Sequence, residues 1–230
     1  MSRLPIGVAL RAAPAQIRSR TTAAAVRMVR REPFEFDGRS YGYLIHHHNT
    51  TWRNERTVEV PIAVGVLDER CPARVLEVGN VLHNYLPENH PAAGRVVIDM
   101  YEDGAGVLNI DVLDHEPDEP YDVIVALSTL EHVGLDEDVL EPDKAARAIK
   151  LMQTWLAPGG LMLVTVPLGY HAELDRQLFE GPALFDDLKF MRRVSTDGHW
   201  AQADAEQVRG AQFGSPYPFA NVIAVGRTSG

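Results

Sequence analysis

The chain contains a single cysteine, Cys71. No internal disulfide can form, and such usage fits a reducing cytoplasm. Cys71 stands before Pro72, where the first apolar strand begins, and is expected to be inert. No apolar run is long enough for a secretion signal or a membrane span. Internal repeats and low-complexity tracts are also missing. Acid is absent from residues 1–31, which hold seven arginines (Arg3, Arg11, Arg18, Arg20, Arg27, Arg30 and Arg31). The net charge of −10 therefore leaves −17 on the remainder, an acidity that argues against binding nucleic-acid backbones. The basic arm has three readings: an organelle-targeting peptide, a site for an acidic or phosphate-bearing partner, or a helix packed on the acidic body of its own or a neighbouring subunit. The last is the simplest, and it makes a homodimer an expectation.

What is present is a series of short apolar strands ending in acids. Arg74-Val75-Leu76-Glu77-Val78-Gly79-Asn80 is the first, and Arg95-Val96-Val97-Ile98-Asp99 the second. A third segment ends at Asp111, a fourth runs Tyr121 to Ser128, and a fifth, Leu161 to Pro167, follows a Pro-Gly-Gly turn. Such a series predicts a parallel sheet with a nucleoside-like ligand above its carboxyl edge. Helices are expected over Leu82–Leu86, cut short by Pro87, and over Asp143–Leu156, where Ala145, Ala148, Ile149 and Met152 share a face. Another is expected from Asn54 as N-cap to about Val66, disturbed by Pro61. Leu188–Val194 and Ala220–Gly226 read as further strands, and Asp37-Gly38 between aromatic flanks reads as a hairpin. Three parts follow: a basic arm over 1–31, an aromatic cap and helix over the active site at 32–70, and an α/β sheet domain over 71–230.

The order Val75-Leu76-Glu77-Val78-Gly79, Val97-Ile98-Asp99, Asn109-Ile110-Asp111, Tyr121-Asp122-Val123-Ile124 and Leu156-Ala157-Pro158-Gly159-Gly160 resembles the class I S-adenosylmethionine-dependent methyltransferases. The resemblance covers residues 72–170. It implies a Rossmann-like fold: a mostly parallel seven-stranded sheet with its last strand antiparallel. It also implies S-adenosylmethionine as cofactor. Glu77 would hold the loop after the first strand, and Gly79 and Asn80 would form that loop. Asp99 would accept from the ribose hydroxyls and Asp111 from the adenine amino group, with Met100 and Val112 beside them. Ser128 would lie near the methionine part. The glycine loop departs from the family pattern, since only Gly79 remains. A nicotinamide enzyme would require the full Gly-x-Gly-x-x-Gly at this point, and that motif is absent.

Methyl transfer to oxygen needs a base, and His132, Glu131 and His171 are the candidates. A magnesium ion held by Glu131, Asp136 or Asp138 and water is conceivable; a solvated acidic loop is the simpler reading. Adjacent histidines in His46-His47-His48 point alternately apart and make a poor metal site, so His47 or His48 facing the acceptor is the better expectation. Phe34, Phe36, Tyr41, Tyr43 and Trp52 suit either a stacked sugar ring or the anchoring of the cap. Asn54 to Pro61, Ser128 to Gly134 and Thr165 to Tyr170 extend the resemblance to a bacterial sugar O-methyltransferase subgroup of polysaccharide biosynthesis. This implies a mannoside or oligosaccharide acceptor, with Trp52, Arg56 and Tyr170 on the substrate side. Arg56 could equally brace a structural carboxylate. The rivals are a methyltransferase for a small metabolite or lipid headgroup, and a non-catalytic cofactor-binding relative.

Overall fold

A computed structural model describes residues 22–27 and 32–230. Its frame is an eight-stranded sheet. The strands that build it are β3 (Val75–Val78), β4 (Val96–Ile98), β5 (Val107–Leu108), β6 (Tyr121–Leu127), β7 (Leu156–Pro167), β8 (Asp187–Arg193), β9 (Trp200–Ala203) and β10 (Val222–Ser229), after a separate hairpin of β1 (Phe34–Phe36) and β2 (Arg39–Tyr41). The order across the sheet is β5-β4-β3-β6-β7-β10-β8-β9. Strands β3 to β7 are mutually parallel, and β10 runs antiparallel between β7 and β8. This is the Rossmann-like methyltransferase arrangement expected, with β9 as an added antiparallel edge.

The central strands are apolar on both faces because helices cover both. Val75, Val123, Val125 and Leu127 pack with Val58, Ile62 and Val66 of helix α1 (Arg56–Arg70). On the other face, Leu76, Ile124 and Ala126 pack with Ala145, Ile149 and Met152 of α2 (Lys144–Gln153). Each fully buried Val, Ile or Leu contributes roughly 1.5–3 kcal/mol. Helices α3 (Ala172–Glu180) and α4 (Ala205–Val208) complete the second face. Among the described residues, no helix is long and apolar enough to cross a membrane.

Pro61 lies inside α1 without ending it. A proline has no N–H for the carbonyl four residues earlier. That carbonyl, on Thr57, instead accepts from the Leu44 N–H at 2.9 Å, so the chain before α1 is tied to the helix by the bond Pro61 cannot make.

The hairpin lies away from the active site, and its aromatic residues take the anchoring role, one of the two readings open for them. Phe34 and Phe36 are buried in the α1-side core, with Phe34 5.5 Å from Tyr41 and 5.0 Å from Tyr43. Arg39 pairs with Glu69 at 2.5 Å, in the last turn of α1, and Asp37 pairs with Lys189 and Arg227. Because α1 begins at the carboxyl edge of the sheet, these contacts hold the hairpin toward the opposite end. The basic arm lies outside the described residues except for 22–27, which are helical.

Candidate active site

Parallel strands that end together present their last residues along one edge. Gly79 after β3, Asp99 after β4 and Ser128 after β6 line a cavity of about 260 Å3 with Asn80, Met100, Asp111 and Val112. Its floor is apolar, from Val78, Ile98 and Ile110. Gly79 adopts φ +86°, and a Cβ there would strike the Thr129 side chain. The left-handed turn therefore falls on Gly79, and Asn80 keeps an ordinary negative φ.

Asp99 Oδ1 accepts from the N–H groups of Tyr101 at 2.9 Å and Glu102 at 2.7 Å. Its Oδ2 has only a long bond from Asn80 N at 3.3 Å. A carboxylate offers about four acceptor positions, so Asp99 shapes its own loop and keeps capacity toward the cavity. Asp111 Oδ1 accepts from Leu113 N at 2.9 Å, and its Oδ2 meets Lys144 Nζ at 2.5 Å. Burial pushes the Asp111 carboxyl up, but Lys144 and the Leu113 N–H, with Arg147, together hold the group below the usual carboxylate value. Lys144 is itself buried and also pairs with Glu137.

Glu77 lies beneath the loop, outside the cavity lining. Its carboxylate accepts from Leu82 N at 2.7 Å and Arg95 Nε at 2.5 Å, while burial raises its pKa.

Ser128 has φ +41°, a strained value for a residue with a side chain. Neighbours hold it there. Its N–H donates to Thr165 O at 3.0 Å and its hydroxyl to Glu59 Oε2 at 2.7 Å. The Thr165 hydroxyl donates to the same Glu59 oxygen at 2.6 Å, and Arg56 pairs with the other. Arg56 Nη1 also donates to Leu127 O at 2.9 Å. Arg56 thus braces a structural carboxylate while lining the cavity.

His132 lines the cavity too, half exposed. Its Nδ1 lies 2.5 Å from Asp136 Oδ2, which also accepts from the Tyr170 hydroxyl at 2.7 Å. The hydrogen bond from His132, then that from Tyr170, holds Asp136 below the usual carboxylate range. Burial, reinforced by Asp136, pushes the Tyr170 phenol up to about 12.

A family described as "Methyltransferase domain" matches residues 62–208. The chain belongs to that family. Its cofactor is S-adenosylmethionine, and the residues present fit it: an apolar floor for a planar base and, in Asp99, an acid with acceptor capacity for vicinal hydroxyls. Among solved structures, the chain is similar to N-methyltransferase NodS from Bradyrhizobium japonicum WM9, at 17% identity and a TM-score of 0.46, covering 76% of this chain and 95% of that one. It is also similar to an rRNA methylase from Escherichia coli, at 15% identity and a TM-score of 0.44, covering 98% and 78%. No curated protein matches the chain.

Several expected site residues of the methyltransferase have other tasks. His171 is buried as the N-cap of α3, where its Nδ1 accepts from Leu174 N at 3.2 Å. Burial lowers its pKa, and it does not line the cavity. Glu131 points inward, 2% exposed, and burial pushes its pKa well up. The rings of His46 and His48 pack edge-on against Tyr85 at 5.5 and 5.9 Å, and His47 lies against His46 at 4.4 Å. Neither His47 nor His48 reaches the cavity lining, and Trp52 lines a different cavity beside Arg193 and His199. Of the acids considered for a magnesium ion, Glu131 is buried and Asp136 is engaged by His132 and Tyr170; among the described residues no group of three or more His, Cys, Asp or Glu could hold a metal. Sequence reasoning missed Lys144, Thr165 and the pairing of Asp136 with His132. The last has a local signal, because residues four apart meet when the chain coils.

Proposed function

We propose that this methyltransferase moves the methyl group of S-adenosylmethionine to a hydroxyl of a saccharide, a mannoside or oligosaccharide precursor of a methylated polysaccharide. The observation that carries the oxygen assignment is the His132–Asp136 pair at the cavity. An alcohol must lose its proton as it attacks, so O-methylation needs a base beside the methyl donor. The ionised Asp136 orients the imidazole with Nδ1–H toward itself, which leaves the Nε2 lone pair to take the hydroxyl proton. Glu131 Oε1, 3.6 Å from Nε2, is too far to occupy it. The cofactor supplies an electrophilic methyl on a sulfonium: the new C–O bond forms as the C–S bond breaks. Asp136 stabilises the imidazolium that results.

The saccharide assignment is supported by the resemblance described above and by the aromatic surface next to the base. Tyr170 stands edge-on to His132 at 4.8 Å and to Phe213 at 5.1 Å, a wall suited to the CH faces of a sugar ring. Gly79, Asn80, Asp99, Met100, Asp111, Val112 and Ser128 are assigned to the cofactor, and Glu77 to holding the loop beneath it.

Transfer of labelled methyl to mannosides, other glycosides, non-sugar alcohols and amines tests this. Saccharides should be labelled, and His132→Gln should lower turnover by about 10²–10⁴-fold while S-adenosylhomocysteine still binds. Labelling confined to amines or non-sugar alcohols would sink the saccharide reading. Unchanged turnover in the variant would remove His132 as base.

A further inference from the structure

Beyond Phe213 lies a further cavity of about 430 Å3 at the same edge of the sheet. Its lining includes Arg192, Arg193, Arg209, Gln207, Gln212 and Tyr217, and no described aspartate or glutamate lines it. That is unusual for a chain of net charge −10. We propose that this cavity binds the anionic group, carboxylate or phosphate, of the acceptor glycoside. The proposal rests on the saccharide reading and extends it.

The wall is built to hold its shape. Asn221 is buried, and its side chain donates to the carbonyls of Gln212 at 3.2 Å, Tyr217 at 2.9 Å and Phe219 at 3.1 Å, while accepting from Tyr217 N at 3.0 Å. Arg193 donates to Arg53 O at 2.9 Å and Thr196 O at 2.9 Å, and its guanidinium lies 4.7 Å from the Tyr217 ring centroid. These groups are committed to structure. Arg192 is not: among the described residues its guanidinium has no hydrogen-bond, ion-pair or ring partner, and it is exposed. Arg209 lies over the Phe179 ring at 4.8 Å from its centroid and has two loose ion pairs, 3.7 Å to Glu180 and 3.9 Å to Glu206. A guanidinium fork matches a carboxylate or phosphate in a way that neutral amides do not.

The position suits an extended acceptor. Arg192 pairs in register with Val222, whose carbonyl accepts from Leu168 N at 3.0 Å, so the cavity adjoins the loop that carries Tyr170. From the His132 ring, two ring-to-ring steps of 4.8 and 5.1 Å reach Phe213, the neighbour of Gln212. A sugar methylated at His132 would place its next unit over Phe213 and an acid group among the arginines.

The test is direct binding to the full chain with S-adenosylhomocysteine bound, using methyl glucuronide, a glycosyl phosphate, methyl glucoside and inorganic phosphate. Wild type should bind the two anionic glycosides about tenfold more tightly than the neutral one. Arg192→Gln should bring that ratio near one, and Arg192→Lys should retain part of it. Affinity for S-adenosylhomocysteine serves as the check on folding. A ratio near one in wild type would overturn the pocket, while methylation of neutral glycosides would leave the saccharide reading standing. Phosphate binding that Arg192→Gln abolishes, with no glycoside methylated, would support the anion pocket and defeat the saccharide reading.

Discussion

Replacing Glu59 by alanine should cost this protein about 4 kcal/mol of stability, a figure that follows from what the carboxylate holds. Glu59 is fully buried. One oxygen pairs with Arg56, and the other accepts from the Ser128 and Thr165 hydroxyls at 2.7 and 2.6 Å. Removing it leaves a buried guanidinium with Leu127 O at 2.9 Å as its one good remaining acceptor. Glu55 and Glu131 stand nearby, but burial raises the pKa of both, so neither substitutes cheaply for Glu59. Breaking one side of a buried pair typically costs 3–5 kcal/mol. The two hydroxyls can rotate to other acceptors and add less than their full worth. Glu59→Gln keeps one acceptor oxygen and should lose about 1–3 kcal/mol. Arg56→Met combined with Glu59→Met should be less harmful than Glu59→Ala alone, because no charge is stranded. Urea unfolding of the three variants decides this, with S-adenosylhomocysteine titrated in parallel to follow the release of strained Ser128. A loss below about 1 kcal/mol for Glu59→Ala, or a double variant no better than it, would refute the assignment of the pair as the brace of the β6 end.

Asp99→Ala should weaken S-adenosylhomocysteine binding by at least about tenfold by titration calorimetry, because a charge-assisted hydrogen bond to a ligand is worth about 1.5–3 kcal/mol; Asp99→Asn should do less harm, since it can still accept from the Tyr101 and Glu102 amides. An unchanged affinity in the alanine variant would take Asp99 out of the cofactor site. Burial pushes Asp175 up to about 6 from an ordinary 3.8. The folded chain then keeps a proton that the unfolded chain releases between those values, so this residue's contribution to stability falls as pH rises through that window. Asp175→Asn lacks the dependence, and unfolding curves at pH 4 and pH 7 should show the variant gaining on wild type as pH rises; a constant difference would contradict the buried carboxyl.

The parallel core was readable because its strands are unbroken aliphatic runs closed by acids or glycine. Val75–Val78 and Tyr121–Leu127 have no other plausible state. The elements that escaped notice lack that signal. Strand β9, Trp200–Ala203, has no β-branched residue and exposes Ala201 and Gln202 at the sheet edge. Helix α3 buries only Leu174 fully and starts from a histidine N-cap instead of the usual Ser, Thr, Asp or Asn. The hairpin aromatics were recognisable as a cluster, but which face of the sheet they cover depends on Asp37 meeting Lys189 and Arg227, contacts 152 and 190 residues apart.

The same limit governs the site. Strand direction alone puts Gly79, Asp99, Asp111 and Ser128 on one edge, so their presence around one cavity follows from local pattern. Whether a polar side chain at that edge faces a ligand or holds the edge together depends on partners far away in sequence. His132 and His171 look alike in the sequence, each a histidine just past a strand end. His171 has its Nδ1 engaged with the helix that follows it, and burial disfavours its charge. His132 instead meets an acid four residues on, which stays ionised in solvent reach and can balance a proton taken from an acceptor. The arginines divide in the same way: Arg56 and Arg193 are engaged by carboxylate and carbonyl oxygens, and Arg192 lines its cavity without a partner among the described residues. In His132, Asp99 and Arg192 alike, the group assigned to chemistry or recognition keeps a polar atom that the fold leaves open or only weakly bonded, while its other contacts fix its place.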